Sequence, residues 1–486
     1  MKKLKEILRN IPVKETSGSL DLKIEEIHFD SREVTPGTLF VAIKGLTVDG
    51  HKFLNNAAQN GAIAILCEKM PSKTRNNVTY IVTEDTSKAL GMAASRFYDS
   101  PSEQLQLIGI TGTNGKTTTA TLLYNLFLNN GEKTGLISTI ANYINKKKIT
   151  TVFTTPDAIS VNKLLYEMVK EGCQYAFMEV SSHALKQNRI SGLNFSGAVF
   201  TNITHEHLDY HNTFQDYIKS KKLLFDQYLD KDDFALVNSD DKNSKIMVQN
   251  TPAKTYSFAL KSPAEFKGKV IEKLIDGTLL QINGKEVWIK FIGEFNASNL
   301  LGVFATASLL GYDKEKLYTD LTKLKPVDGR FETIRSKDHK TAIVDYAHSP
   351  DALENILRTI KDLQQKGQHI ITVIGAGGDR DKTKRPEMAK ISAKYSDKVV
   401  LTSDNPRTEK PESILSDMTK GVSKDKISSV TTITDRTEGI KTACMFARQG
   451  DIILIAGKGH ETYQEVNGVR HHFDDREIIK KIFELE

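Results

Sequence analysis

Gly112-Thr113-Asn114-Gly115-Lys116-Thr117-Thr118 stands between an apolar run, Leu105 to Ile110, and a stretch in which Leu122, Leu123, Leu126 and Phe127 recur at helical spacing before Gly131. Strand, glycine-rich turn and helix in that order make the arrangement that cradles phosphate. Its glycines let backbone N–H groups approach an anion, and the start of the helix adds partial positive charge. Lys116 can reach the β and γ phosphates of a nucleotide, and the Thr117 hydroxyl can ligate Mg²⁺. The common form of this motif carries a further glycine where this chain has Ile110, so the turn here is tighter.

A chain of 486 residues exceeds one ordinary core, and a prior of roughly 150 residues per domain suggests about three. The strand and helix patterns divide it as α/β throughout. Residues 1–102 form a small α/β unit that ends at Asp99-Ser100-Pro101-Ser102. Residues 103–326 carry the phosphate loop and a mostly parallel sheet, with strands at Tyr175 to Met178, Gly197 to Phe200 and Phe234 to Val237. Residues 327–486 carry strands at Thr341 to Val344, His369 to Ile374, Lys398 to Leu401 and Ile452 to Ala456, each followed by a glycine- or charge-rich loop. Ligands of open α/β sheets sit beyond such strand ends.

Lys plus Arg number 67 against 61 Asp plus Glu. That small excess creates no global field for nucleic acid or membrane, so an anionic ligand needs a local basic site. Cys67, Cys173 and Cys444 are far apart, form no CxxC pair and lie in apolar stretches, as reduced core thiols of a cytoplasmic protein do. The stretch Met1 to Asn10 has basic residues but no apolar h-region, and no stretch approaches the roughly 18 apolar residues of a membrane span, so secretion and membrane spanning are not expected. The expectation is a soluble cytoplasmic monomer without nucleic-acid partner or membrane insertion. His205, His207 and His211 crowd one turn, but no CxxC or HExxH accompanies them to make a zinc site.

Further along stand Asp30-Ser31-Arg32, Asp49-Gly50, Thr154-Thr155-Pro156, MEVSSHAL at 178–185, HLDYH at 207–211, YIKSK at 217–221, FNASNL at 295–300 and Gly329-Arg330. DYAHSPDALE at 345–354, GGDRDKTKRP at 377–386, DNPR at 404–407 and GKGHE at 457–461 complete the series. With the tight loop, these ordered motifs resemble the Mur ligase family over nearly the whole chain. Glu206 stands where the family usually has Asp, and Thr383 where it usually has Gly.

The resemblance implies a small N-terminal uridine-nucleotide domain, a central P-loop ATPase domain and a C-terminal Rossmann-like domain. It places Gly112, Thr113, Asn114, Gly115, Lys116, Thr117 and Thr118 on the ATP phosphates, with Asn296, Asn299, Arg330, Asp345 and His348 at adenosine and γ-phosphate contacts. Ser31, Leu46, Thr47 and Val48 fall where the family holds the uridine nucleotide, and Thr154, Thr155, Ser182, Gln187 and Arg189 where it grips the muramoyl-dipeptide. Thr117, Glu179 and His207 fall at magnesium positions. Lys221 falls where the family carries a carbamylated lysine (N6-carboxylysine), an anion able to hold a second Mg²⁺. An unmodified Lys221 on a phosphate or a solvated face is the alternative reading.

The implied activity is ATP-dependent amide formation between the D-glutamyl side-chain carboxylate of UDP-N-acetylmuramoyl-L-Ala-D-Glu and meso-2,6-diaminopimelate. The distal carboxylate of that amine must be paired or desolvated at a cost, and the Arg407 guanidinium suits a bidentate contact with it. Arg380, Asp404, Asn405, Gly457 and Glu461 complete this subsite, with Glu461 meeting the distal ammonium. Lys116 and Lys221 are the expected catalytic cations or metal holders, and His207 and His348 the candidate bases. A sister ligase that adds lysine, or glutamate to a folate, would lack DNPR or the Ser31 and Thr155 regions. An ATP-hydrolysing switch protein would need the loop but not three substrate regions.

Overall fold

The computed structural model describes residues 1–45, 48–151, 154–204, 210–211 and 213–485. The chain divides into two compact units. The first comprises Met1–Gly112, Thr119–Asn202 and Gln215–Ser257, and the second Thr113–Thr118, Ile203–Phe214 and Phe258–Glu486.

Two sheets organise the first unit. The N-terminal sheet orders Val13–Ser17, Thr79–Thr83, Ala62–Cys67, Thr38–Val41 and Glu26–His28, parallel except for its first strand. The middle sheet centres on Gln106–Thr111, flanked in parallel by Tyr175–Glu179 and Gly197–Phe200, with Thr134–Ile137 and Phe234–Asn238 outside them. These strands are buried on both faces, and so they appear in the sequence as continuous apolar runs. The helix Lys116–Asn129 buries Leu122, Leu123, Leu126 and Phe127, the face anticipated from their spacing. Gly131 follows at φ +95°, a conformation that L side chains rarely adopt and that suits the end of a helix.

The second unit holds an antiparallel meander, Phe266–Leu274, Gly277–Ile282 and Lys285–Ile289. Its main sheet orders Glu332–Arg335, Thr341–Asp345, Ile452–Ala456, Ile370–Ile374, Lys398–Thr402 and Val430–Ile433, parallel after the first strand. Asp345 pairs with Ala456 and Ile374 with Ala456, which brings three strand ends into line. The loops after these ends carry Tyr346 to His348, Gly375 to Arg380 and Gly457 to Glu461. Beneath them Arg436 and Asp475 form a fully buried ion pair with contacts of 2.8 and 2.7 Å. All three cysteines are free and buried, and burial pushes the Cys67 thiol up to about 11 and the Cys444 thiol to about 12.

Candidate active site

In the first unit, strand Tyr175–Glu179 delivers the Glu179 carboxylate, fully buried, at its carboxyl end. The carboxylate accepts hydrogen bonds from the Thr139 N–H at 2.7 Å and the Thr139 hydroxyl at 3.2 Å. The same hydroxyl donates to Thr154 Oγ1 at 3.0 Å, while Thr155 Oγ1 donates to the Glu179 carbonyl at 2.8 Å. Arg189 donates to the Thr155 carbonyl at 2.8 Å and grips Gln187 Oε1 with two nitrogens at 3.0 and 2.8 Å. Ser182 is buried in the first turn of Ser182–Lys186, a helix capped by the Ser181 hydroxyl. Glu179, Thr154, Thr155, Gln187 and Arg189 are thereby joined in one chain of hydrogen bonds. Thr139, which the motifs did not single out, links them.

Gly112 also belongs to this unit, at φ +152°, and a Cβ there would come within 1.9 Å of Thr201 Oγ1. Its carbonyl accepts from Lys221 Nζ at 2.7 Å. Lys221 is buried on the helix Phe214–Gln227, with its ammonium 4.6 Å from the centre of the Tyr217 ring one turn earlier. Ser31 lies beyond Glu26–His28, where its carbonyl accepts from Asn60 Nδ2 at 2.8 Å, and Val48 is exposed. Leu46, Thr47 and His207 lie outside the described residues.

The rest of the phosphate loop belongs to the second unit. Thr113 Oγ1 accepts from the Thr204 N–H at 3.0 Å. Asp351 Oδ2 accepts from Asn114 Nδ2 at 3.0 Å and from the Thr204 hydroxyl at 3.1 Å. Asp351 sits in the first turn of Pro350–Leu363, and motif reading missed it although it lies within the DYAHSPDALE run. Gly115 presses so closely on Asn299 that a Cβ would stand 2.3 Å from its Oδ1. Arg330 donates to Thr117 Oγ1 at 3.2 Å, and Lys116 curls back to the Thr113 carbonyl at 2.8 Å. Thr118 is buried, and Asn296 donates to the Ile292 carbonyl at 2.9 Å.

Arg330 packs 4.6 Å from the centre of the Tyr346 ring, which also meets the rings of His348 at 4.6 Å and His460 at 4.8 Å. Asp345 accepts from the N–H groups of Phe331 at 2.6 Å and Ala347 at 2.7 Å. Burial raises its carboxyl to about 6, against the opposing pull of Arg330 and these N–H groups. Burial, then the Arg330 charge, pushes the His460 imidazole down to about 3, so it stays neutral. His348 is exposed, and its Nδ1 donates to the Tyr346 carbonyl at 2.8 Å, leaving Nε2 as the basic nitrogen.

At the neighbouring strand ends Asn405 Nδ2 donates to Glu461 Oε2 at 2.9 Å, and Lys458 Nζ donates to the same oxygen at 3.0 Å. Asp404 is buried, with its Oδ2 beside Gly457, where a Cβ would stand 3.0 Å away at φ +114°. Arg407 takes φ +53° and is pinned by backbone bonds to Glu465 at 3.0 Å and Asn467 at 2.7 Å. Its Nη1 donates to the Gly378 carbonyl at 2.6 Å, and Arg380, exposed, flanks the same glycine turn at Gly377. The sequence reading missed Lys458. It lies inside the GKGHE run and is fully buried among the site's acids.

Within the second unit the glycine loop carries Lys116 and is met by Arg330, and a mixed-charge cluster stands at the strand ends. The Mur ligase family catalytic domain matches residues 23–98, the Mur ligase middle domain residues 110–307, and the Mur ligase glutamate ligase domain residues 329–459. The chain belongs to the Mur ligase family. A UDP-N-acetylmuramoyl-L-alanyl-D-glutamate--2,6-diaminopimelate ligase of Phocaeicola vulgatus is 53% identical over 484 residues, covering 100% of each chain. A ligase of the same name from Bacteroides fragilis is 52% identical, covering 99% of each. A solved structure of a UDP-N-acetylmuramoyl-L-alanyl-D-glutamate--2,6-diaminopimelate ligase superposes with TM-score 0.70 at 30% identity, covering 100% of this chain and 99% of its own. The MurF ligase from Thermotoga maritima, solved with ADP, shares the fold at TM-score 0.63 and 19% identity, covering 96% of this chain and 98% of its own. The N-terminal, middle and C-terminal sheets are thus those of the three-domain α/β Mur ligase fold.

Proposed function

We propose that the chain is an ATP-dependent, ADP-forming amide ligase that adds meso-2,6-diaminopimelate to the D-glutamyl side-chain carboxylate of UDP-N-acetylmuramoyl-L-Ala-D-Glu, in peptidoglycan precursor synthesis. Relatives of that name align end to end at just over half identity. One structural observation carries the reading furthest. Arg330 and Asp345 stand at the end of one strand region, and Asp404, Asn405, Arg407 and Glu461 gather at the ends of its neighbours. A nucleotide and a doubly charged amino acid thereby find complementary groups on one sheet edge.

The reaction begins when an oxygen of the D-glutamyl carboxylate attacks the γ-phosphorus of ATP and ADP leaves. Lys116, with Arg330 held at Thr117, offsets the repulsion between the two anions, so electrostatics and positioning do most of the work. The neutral amine of diaminopimelate then attacks the acyl carbon, and the tetrahedral intermediate expels phosphate. His348, through Nε2, is the described candidate to take the amine proton, and His207 the other candidate. Thr154, Thr155, Ser182, Gln187 and Arg189 hold the muramoyl-dipeptide, while Ser31, Leu46, Thr47 and Val48 hold its uridine nucleotide. Arg407 and Arg380 face the distal carboxylate of the amine.

Hard oxygen donors suit Mg²⁺, and the buried Glu179 carboxylate and the Thr117 hydroxyl are of that kind. Those two and His207 would hold one ion and a carbamylated Lys221 a second, and the ions would supply charge neutralisation at the phosphates. Among the described residues no helix is long and apolar enough to cross a membrane. A monomer working in the cytoplasm fits the buried free cysteines and the nucleotide substrates.

The test is phosphate release by purified protein with each substrate omitted in turn. Release must require UDP-N-acetylmuramoyl-dipeptide and diaminopimelate together. Release from ATP alone would instead mark a nucleotide-hydrolysing protein, and preference for lysine would mark a sister ligase.

A further inference from the structure

Lys458 is a lysine with no exposed side-chain surface, set among groups assigned above to the amine subsite. Its Nζ donates to Glu461 Oε2 at 3.0 Å and to Asn405 Oδ1 at 3.2 Å, and stands 3.6 Å from Asp404 Oδ1. The Tyr463 ring lies to one side, 5.5 Å from the ammonium to the ring centre. Burying an ammonium is costly unless it is paired, so its place here needs a reason.

The geometry supplies one. Asn405 and Lys458 both donate to Oε2 of Glu461, and Oε1 has no hydrogen-bond partner among the described residues. Asp404 Oδ1 is also buried without a hydrogen-bond donor. Two carboxylates face this ammonium and two of their oxygens stay open, which is complementary to an incoming ammonium. Without Lys458, Glu461 Oε2 would keep only the Asn405 amide, and the like charges of Glu461 and Asp404 would push the two carboxylates apart. A carboxylate displaced in this way would lose its fixed aim.

We infer that Lys458 is a positioning residue for the amine subsite: it clamps Oε2 of Glu461 against the repulsion of Asp404 and so presents Oε1 to an ammonium group of the amino-acid substrate. The inference rests on the reading that Glu461 meets that ammonium. Lys458 acts through Glu461 and not through Arg407, so it affects amine binding without affecting the choice between diaminopimelate and lysine.

The experiment compares the wild-type chain, Lys458→Met, Glu461→Gln and the double variant, measuring phosphate release with diaminopimelate or lysine. Lys458→Met is expected to raise KM for diaminopimelate about ten-fold or more. KM for ATP and the ratio of diaminopimelate to lysine use should stay near their wild-type values. The double variant removes both members of the Lys458–Glu461 pair, so Glu461 is not left as an unpaired acid and only Asp404 keeps its charge there. Its KM for diaminopimelate should equal that of Glu461→Gln alone, and this comparison decides the matter even if Lys458→Met fails to fold. A further rise in the double variant, or a parallel rise in KM for ATP, would overturn the inference. Wild-type protein that ignored diaminopimelate would refute the functional reading instead, and the control without amine separates the two cases.

Discussion

Replacing Arg407 by alanine isolates the contact proposed to choose the amine. The guanidinium is posted by backbone: residue 407 is left-handed, anchored to Glu465 and Asn467, and Nη1 spends itself on the Gly378 carbonyl. Nε and Nη2 remain as the donors for a carboxylate. A charge-assisted contact of this kind contributes about 1.5–3 kcal/mol, which corresponds to a fall of about 10- to 150-fold in kcat/KM for diaminopimelate. Stability should change by no more than the single lost bond to Gly378, about 0.5–1.5 kcal/mol. Arg407→Lys keeps the charge but loses the planar fork, and it should recover only part of the loss. The assay is steady-state phosphate release at saturating ATP with diaminopimelate and lysine in parallel. Lysine has no distal carboxylate, so its kcat/KM should hardly move and the preference should collapse. Equal losses on both amines, or a matching rise in KM for ATP, would show that Arg407 serves structure and would refute the reasoning.

Gly115→Ala would drive a Cβ to 2.3 Å from Asn299 Oδ1 at a φ of +86°, so ATP binding measured by calorimetry should weaken about ten-fold or more while the thermal midpoint shifts by a few degrees. Arg436→Met strands the Asp475 carboxylate in a fully buried space, and denaturant unfolding should register a loss of about 3–5 kcal/mol, partly restored by adding Asp475→Leu. Glu409 is held down to about 2 by hydrogen bonds from Arg385, then from the Asp379 N–H. A depressed carboxyl stabilises the fold above its unfolded pKa and ceases to do so as pH falls through its folded one. The stability gap between wild type and Glu409→Gln, of order 1–2 kcal/mol, should therefore be full at pH above about 5 and close toward about pH 2. A gap independent of pH would contradict the ion-pair account.

What could be read from the chain beforehand follows from how each part meets water. Leu105 to Ile110 and His369 to Ile374 are buried apart from the exposed Gln106 and partly buried His369, so their strands show as largely apolar runs whose observed bounds differ by a residue. The meander Phe266–Ile289 was not singled out, because its first strand, FKGKVIEKL, is largely exposed and rich in lysine. Val13–Ser17 was missed for the same reason, being exposed at every residue. At the site, Glu179, Thr155 and Arg189 were legible from the resemblance, and the structure links them through the Glu179 and Thr155 carbonyls. Thr139, Asp351 and Lys458 were not, because each acts by touching a motif residue distant in sequence or by lying unassigned inside a motif. The tight spacing of the loop at Gly112 proved informative for a steric reason: Thr201 and Asn299 crowd its two glycines, and each would collide with a side chain there.

The central claim is that a carboxylate oxygen is phosphorylated and then leaves with phosphate when the amine arrives. UDP-N-acetylmuramoyl-L-Ala-D-Glu carrying a heavy oxygen isotope at both oxygens of its D-glutamyl side-chain carboxylate, incubated with the full chain, ATP and diaminopimelate, tests that claim most directly. Mass spectrometry of the released phosphate should find one heavy oxygen per phosphate formed, in step with the amide product. Unlabelled phosphate would mean that water and not the carboxylate had attacked the nucleotide, and the ligase account would fall.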